Sequence, residues 1–249
     1  MTRTRILVAA ALLSAVGATA LVAAALPSNI AASAADPKRA ESAKNDSWRH
    51  GPEILAFAGV KPGAKVIDLI PGGGYWTRLF AGAVGPKGHV YGVWPDEYVK
   101  VDGEDFEPYK KVAALYPNVS VHTQPAAALA APEKVDLVFT SQNYHDYPLK
   151  FMGNTDVALL NKAAFAALKP GGIYLVIDHA AEAGSGMRDI DKLHRIDGAI
   201  VKQQVEAAGF KFVGESPLLV SATDDKTKNV FAKEVRGHTD QFIYKFRKP

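Results

Sequence analysis

Two short stretches of this 249-residue chain carry side chains and backbone able to do chemistry. The first is Val66-Ile67-Asp68-Leu69-Ile70-Pro71-Gly72-Gly73-Gly74-Tyr75-Trp76-Thr77, in which an apolar, β-branched run ends in three glycines and a helical pattern follows at once. Glycines let the backbone turn sharply and admit a ligand without Cβ interference. The helix start then offers free N–H groups and a positive dipole end to an anionic or polar group. The second stretch, Ser141-Gln142-Asn143-Tyr144-His145-Asp146-Tyr147, gathers a hydroxyl, amides, phenols, an imidazole and a carboxylate. His145 has an ordinary pKa near neutrality, suited to moving a proton, and Asp146 is placed to orient a partner. The alternative for this stretch is a hydrogen-bonded loop held by aromatic anchors.

The glycine stretch matches neither standard nucleotide signature. Gly72 and Gly74 have the spacing of G-x-G-x-x-G, but Thr77 holds its last position. No G-x-x-x-x-G-K-[ST] sequence occurs either. The incomplete fingerprint, with Trp94 where an acid would hold ribose, disfavours a nicotinamide-dependent oxidoreductase. Asp178-His179, Asp189, Asp191, His194, Arg195 and Asp197 form a third polar group. A helix starting near Asp191 would put His194 and Asp197 on one face, and Asp178 or His179 would point into the same cleft as His145. No H-E-x-x-H or comparable spacing is present, so no metal is expected.

The elements that must position these groups alternate along the chain. Strands are expected at Lys65–Ile70, His89–Trp94, Val119–His122, Val135–Thr140, Ile173–Asp178, Phe210–Val220 and Gln241–Phe246. Helices are expected at Pro52–Gly59, Thr77–Val84, Phe106–Leu115, Val157–Leu168 behind an Asp156 cap, and Asp191–Ala208 before Gly209. Apolar strands alternating with helices predict one α/β domain, Rossmann-like and doubly wound, whose seven-stranded sheet is mainly parallel with an antiparallel edge strand. In such sheets ligands sit at the carboxyl ends of the strands, where both polar stretches fall.

At these residues the chain resembles the class I S-adenosylmethionine-dependent methyltransferases. D-L-I-P-G-G-G-Y-W-T at 68–77 is similar to that family's first motif. The resemblance continues through V-G-P-K-G-H-V-Y-G-V at 84–93, V-D-L-V-F at 135–139, L-K-P-G-G-I-Y-L-V-I-D at 168–178 and E-A-A-G-F at 206–210. P-G-G-G and N-Y-H-D further resemble a group of exported methyltransferases. The resemblance implies S-adenosylmethionine as cofactor and methyl transfer to a small-molecule or envelope acceptor. It implies that Asp68, Gly72, Gly73 and Gly74 hold the methionine part of the donor, that Trp94 and Gln124 border ribose and adenine, and that Ser141 and Asn143 border the sulfonium. His145 and Asp146 would stand beside the acceptor, and Tyr144 would close over the sulfonium by a cation–π contact. Two positions depart from the family: Ile70 replaces the first loop glycine, and Trp94 stands where an acidic residue would hold ribose. Asp96 or Glu97 would take over that role, or Trp94 would stack on adenine.

Composition sets the remaining bounds. Hydrophobic residues make up 48% and the net charge is +3, which excludes disorder and gives no electrostatic case for nucleic acid. Zero cysteine excludes disulfides, thiolate metal sites and a thiol nucleophile. Arg3 and Arg5, the apolar run Ile6–Leu26 and the small residues 31–35 read as a secretory signal, with cleavage after Ala34 or Ala35 and an uncleaved anchor as the alternative. Residues 36–50 read as a polar lead-in, with Trp48-Arg49-His50 a lid over the donor or a structural anchor, and 51–249 as the domain. Losing the two arginines of 1–35 leaves the exported, periplasmic product at +1. An exported small-ligand-binding protein without catalysis is the second reading, since the donor is made in the cytosol and a charged sulfonium does not cross a bilayer unaided.

Overall fold

The computed structural model describes residues 25–249, apart from the side chain of Asp102. All seven expected strands are present: β1 Lys65–Leu69, β2 His89–Pro95, β3 Val119–Gln124, β4 Val135–Ser141, β5 Leu168–His179, β6 Lys211–Ser216 and β7 Gln241–Arg247. They form one sheet in the order β3-β2-β1-β4-β5-β7-β6. The first five pair in parallel, and β7 runs antiparallel to both β5 and β6. The reversed strand is therefore one place in from the edge. β5 starts earlier than expected because Leu168 pairs with Val135 across an irregularity, so the Lys169-Pro170-Gly171-Gly172 turn is drawn into the strand.

Nine α-helices accompany the sheet among the described residues: α1 Ser28–Ala34, α2 Ala40–Ala43, α3 Asp46–Arg49, α4 Gly51–Ala58, α5 Tyr75–Val84, α6 Asp96–Asp102, α7 Phe106–Ala113, α8 Val157–Ala167 and α9 Gly198–Ala207. Asp156 caps α8 by accepting from the Ala158 N–H at 2.9 Å. Two apolar clusters cover the two faces of the sheet. One gathers Ile67, Val138, Tyr174 and Val176 with α8 and α9, and the other gathers Val66, Phe139, Leu175 and Ile177 with α4 and α5. Alternate residues of β1, β4 and β5 feed opposite faces, as the period of two in a strand requires.

The N-terminal part differs from its expected organisation. Residues 1–24 of the expected signal lie outside the described residues, but its last part is α1, which packs against α5. Ile30 is buried, Ser33 Oγ donates to the Leu79 carbonyl at 2.7 Å, and Asn29 Nδ2 donates to the carbonyls of Val60 and Ala83. The packed domain thus begins well before Gly51. The polar run after it is also folded. Arg39 is fully buried, reaching the Ala34 carbonyl and Asp46 Oδ1, and Asp46 Oδ1 also accepts from the Tyr75 hydroxyl. A guanidinium that finds a carboxylate and a carbonyl can be buried despite a polar local sequence. Among the described residues, no helix is long and apolar enough to cross a membrane.

Candidate active site

The carboxyl end of β1 opens into a loop whose backbone is left-handed at three positions: Ile70 (φ 51°), Gly72 (φ 50°) and Gly74 (φ 76°). Two of these are glycines, as the geometry favours. Ile70 is β-branched, a residue type that rarely accepts this region, and it is held there by an N–H bond to the Val93 carbonyl at 2.8 Å. Gly74 starts α5, and a Cβ there would come within 2.8 Å of Val112. Among the described residues, the N–H groups of Gly72 and Gly73 find no backbone acceptor, which leaves them free to face a ligand.

Asp68, at the end of β1, is tied to the helix that follows the loop. Its carboxylate is buried and accepts from Thr77 Oγ1 in the first turn of α5 at 2.5 Å, while Thr77 Oγ1 also lies 3.2 Å from the Tyr109 hydroxyl. Burial pushes the Asp68 carboxyl up to about 7, against the opposing Thr77 hydrogen bond. Asp68 ties the end of β1 to the start of α5 and so positions the loop.

The ends of β2 and β3 are more enclosed than expected. Trp94 is 0% exposed, surrounded by Tyr98, Phe106 and Tyr109. Below it, a Cβ on Gly92 would fall 1.9 Å from the Tyr109 hydroxyl. Trp94 therefore cannot stack on an adenine without displacing α7. Glu97 is engaged, accepting from the Ala126 N–H at 2.9 Å. A carboxylate that sequence reasoning missed stands beside the glycine loop: Asp105 Oδ2 lies 3.8 Å from where a Gly72 Cβ would stand. Its only signal was a place between two helices. Trp94 Nε1 and Gln124 Nε2 are buried donors without partners. Their strands pair here, Trp94 opposite Thr123 and Pro95 opposite Gln124.

At the end of β4, Asn143 ties the two polar stretches together. Its Nδ2 donates to the carbonyls of Leu69 at 3.2 Å and Ser141 at 3.1 Å, and its Oδ1 accepts from Thr140. Ser141 borders a small cavity with Trp48, Arg49, Trp76 and Gln142, so the segment before α4 does cover these strand ends. Tyr144 is placed differently from its expected role. It is fully buried, receives the Asn161 amide at 2.8 Å and donates to Gln204, so its ring belongs to the core between sheet and helices.

His145 and Asp146 come together with two residues from later in the chain. The His145 ring Nδ1 lies 2.8 Å from Asp178 Oδ1, and its backbone N–H donates to Asp178 Oδ2 at 2.9 Å. Its Nε2 lies 3.1 Å from Asp146 Oδ1 and 3.3 Å from His194 Nδ1. Burial alone would lower the His145 pKa, but the Asp178 charge and the Asp146 contact outweigh it and push it up to about 10. With Asp178 on Nδ1 and Asp146 on Nε2, neither ring nitrogen stands free as the base that the ordinary histidine pKa suggested. Asp146 is held below its usual range, burial being outweighed by His145 and His194. His179 points elsewhere, to Thr239 Oγ1 at 2.7 Å, and burial lowers it to about 4. Helix α9 begins at Gly198, because Asp197 is its cap and accepts from the Ala199 N–H. His194 and Asp197 therefore do not share a helix face.

A roomier cavity of about 550 Å³ lies at the opposite, amino ends of β1, β4 and β5, lined by Lys61, Pro170 and Gly171 among others. Ligands of open α/β sheets sit at the carboxyl ends, and none of the polar groups above reaches this cavity, so the strand-end cluster is the better candidate.

Comparison with known proteins agrees with this topology. A structure described as a SAM-dependent methyltransferase from Aquifex aeolicus superposes with a TM-score of 0.55, at 20% identity, covering 86% of this chain and 94% of that one. Another, from Mesorhizobium loti, gives 0.54 at 16% identity, covering 79% and 96%. The fold is that of the class I methyltransferases. In sequence, the chain is 28% identical over 168 residues to the ubiquinone/menaquinone biosynthesis C-methyltransferase UbiE of Shewanella woodyi, covering 65% of this chain and 62% of that one. The first curated relatives are matched over 57–66% of their own length. No family model matches the chain.

Proposed function

We propose that this chain is an S-adenosylmethionine-dependent methyltransferase acting on a small-molecule or envelope acceptor. The observation that carries the reading is the left-handed Ile70-Pro71-Gly72-Gly73-Gly74 turn, which joins β1 to α5 with two free N–H groups at the carboxyl edge of the sheet. The Gly72 and Gly73 N–H groups and Ser141 would hold the methionine end of the donor. The unpartnered Gln124 Nε2 at the end of β3 fits an acceptor-rich base, and Asp105 fits ribose hydroxyls. When bound, the donor supplies an electrophilic methyl on a sulfonium, so the protein's task is alignment and charge management around the acceptor. His145 and Asp146 stand at the acceptor end, with Asn143 and Asp178 fixing the loop that carries them. Demethylmenaquinone, named in one of the curated relatives, is the first acceptor to try.

Calorimetry of the chain with S-adenosylmethionine tests this reading. Saturable binding is expected, and its absence at high donor concentration would sink the assignment. The burial of Trp94 under Tyr109 favours one other reading, a small-ligand-binding protein that keeps the fold without the donor. It predicts no donor binding by an otherwise folded chain.

Export belongs to the same proposal. Cleavage after Ala34 or Ala35 would remove the packed α1, so a processing site before Leu26 suits the folded domain better. Ala23-Ala24-Ala25 has the small-residue pattern for it. Mass spectrometry of the exported chain reads the new N-terminus directly.

A further inference from the structure

Three ligating atoms converge beside the carboxyl ends of β4 and β5. His145 Nε2, Asp146 Oδ1 and His194 Nδ1 form a triangle with edges of 3.1, 3.3 and 3.5 Å. A tetrahedral ion about 2.0–2.1 Å from nitrogen and oxygen ligands separates neighbouring ligand atoms by about 3.3–3.4 Å. The triangle therefore already has the size of one face of such a site.

The surroundings suit an ion as well. Asp178 stands behind His145 and takes its Nδ1 at 2.8 Å, which turns Nε2 toward the triangle, the arrangement found behind metal-bound histidines. Asp146 Oδ1 is a buried acceptor that lies close to both rings yet receives no hydrogen bond of acceptable geometry. Among the described residues, the ion pairs of Asp146 and Asp178 are with histidines alone. His194 is held in the left-handed region (φ 52°), with its ring edge-on to Phe231 at 5.0 Å. Side-chain exposures of 2%, 13% and 24% for His145, Asp146 and His194 leave one side of the triangle accessible.

The geometry points to a divalent transition-metal site formed by His145 Nε2, Asp146 Oδ1 and His194 Nδ1, with a fourth position open to an oxygen ligand. Two imidazoles and one carboxylate select a zinc-like ion over magnesium or calcium, which prefer all-oxygen sets. Three protein ligands and an open fourth position match reactive rather than structural sites. That the fourth ligand is a hydroxyl of the methyl acceptor rests on the function proposed above; the ion site itself does not. The site departs from the sequence expectation of no metal, because His194 comes from a turn 49 residues after His145.

The test is titration of the chelator-treated, full chain with zinc by calorimetry, in the absence of methyl donor. One equivalent is expected. His194→Ala and Asp146→Asn should each weaken it about 10- to 100-fold, and Asp178→Asn, which removes support behind His145, by a similar factor. His89→Ala, in the separate His89–Ser120–His122 cluster, should leave the equivalent in place. His194 is partly exposed, so its variant keeps the test informative even where Asp178→Asn unfolds. No stoichiometric binding by the folded chain overturns the site, as does binding that survives both His194→Ala and Asp146→Asn or disappears with His89→Ala. Zinc binding without donor binding would remove the methyltransferase reading and keep the site; donor binding without zinc binding would do the reverse.

Discussion

Asp178 holds His145 twice, once through the ring at 2.8 Å and once through the backbone N–H at 2.9 Å. One buried carboxylate on β5 thus fixes both the rotamer of the histidine and the path of the loop after β4. Asp178→Ala leaves both donors unpaired and should cost about 3–5 kcal/mol. Urea denaturation at neutral pH checks this; a loss below about 1 kcal/mol would show the loop to be held by other contacts.

Ile70 keeps a left-handed backbone without the glycine that usually allows it. Its side chain also packs on the Trp94 and Tyr109 cluster beside the loop. Ile70→Gly should relieve about 1–2 kcal/mol of backbone strain while opening the loop to a ligand. Tighter binding of S-adenosylmethionine by calorimetry is expected, with Ile70→Val, which keeps the branch, unchanged. Equal affinities for all three chains would refute the idea that Ile70 narrows the donor site.

Asp68 gives a pH signature of opposite sign to most carboxylates. Its folded pKa is about 7, raised by burial from a usual value near 4. Between those values the folded chain holds a proton that the unfolded chain has lost, so stability falls as pH rises from about 4 to 7. Asp68→Asn removes that slope. Its stability relative to the parent should be higher at pH 8 than at pH 4, measured by urea midpoints at both.

Asp224 gives the ordinary sign. Burial would raise its pKa, but the bidentate Arg195 pair and the N–H groups of Asp240 and Lys226 hold it below the usual range. Its contribution is present above the usual carboxylate range and lost as pH falls through the depressed value. Asp224→Asn leaves the Arg195 guanidinium buried without its counter-charge, a loss of about 3–5 kcal/mol at neutral pH. The difference from the parent should shrink in acid, read as thermal midpoints between pH 7 and pH 3.

Helix α1 should behave as part of the domain. A chain beginning at residue 36 loses the buried Ile30, worth about 1.5–3 kcal/mol, and the Asn29 and Ser33 hydrogen bonds. Its unfolding midpoint should fall clearly below that of a chain beginning at residue 26, and equal midpoints would make α1 dispensable.

The central strands were legible because their residues are apolar and β-branched on both faces, a pattern that few helices imitate. Val135–Thr140 falls almost where pattern alone puts it, whereas β5 starts at Leu168 rather than Ile173 because Leu168 pairs with Val135. The glycine loop was legible as a turn, but its enclosure was not, because Tyr109 reaches Gly92 from a helix 17 residues downstream. His145 and Asp146 stand out as chemistry in the sequence, whereas Tyr144 looks equally polar there and becomes core through Asn161 and Gln204. Asp191 misled the helix boundary: it offers the same side chain as a cap, but the residue that caps α9 is Asp197, six positions later. The burial of Arg39 rests on Asp46 and Tyr75, and no local pattern in the lead-in foretells that meeting.

The 1.9 Å gap between a hypothetical Gly92 Cβ and the Tyr109 hydroxyl has an evolutionary consequence. Neither residue is free to drift alone. An alanine at 92 is tolerated only beside a smaller residue at 109, and losing the tyrosine ring opens a hole under Trp94 that a larger residue at 92 can fill. Homologous chains should therefore show the two positions changing as a linked pair of sizes, and a library randomised at both should return survivors along that diagonal.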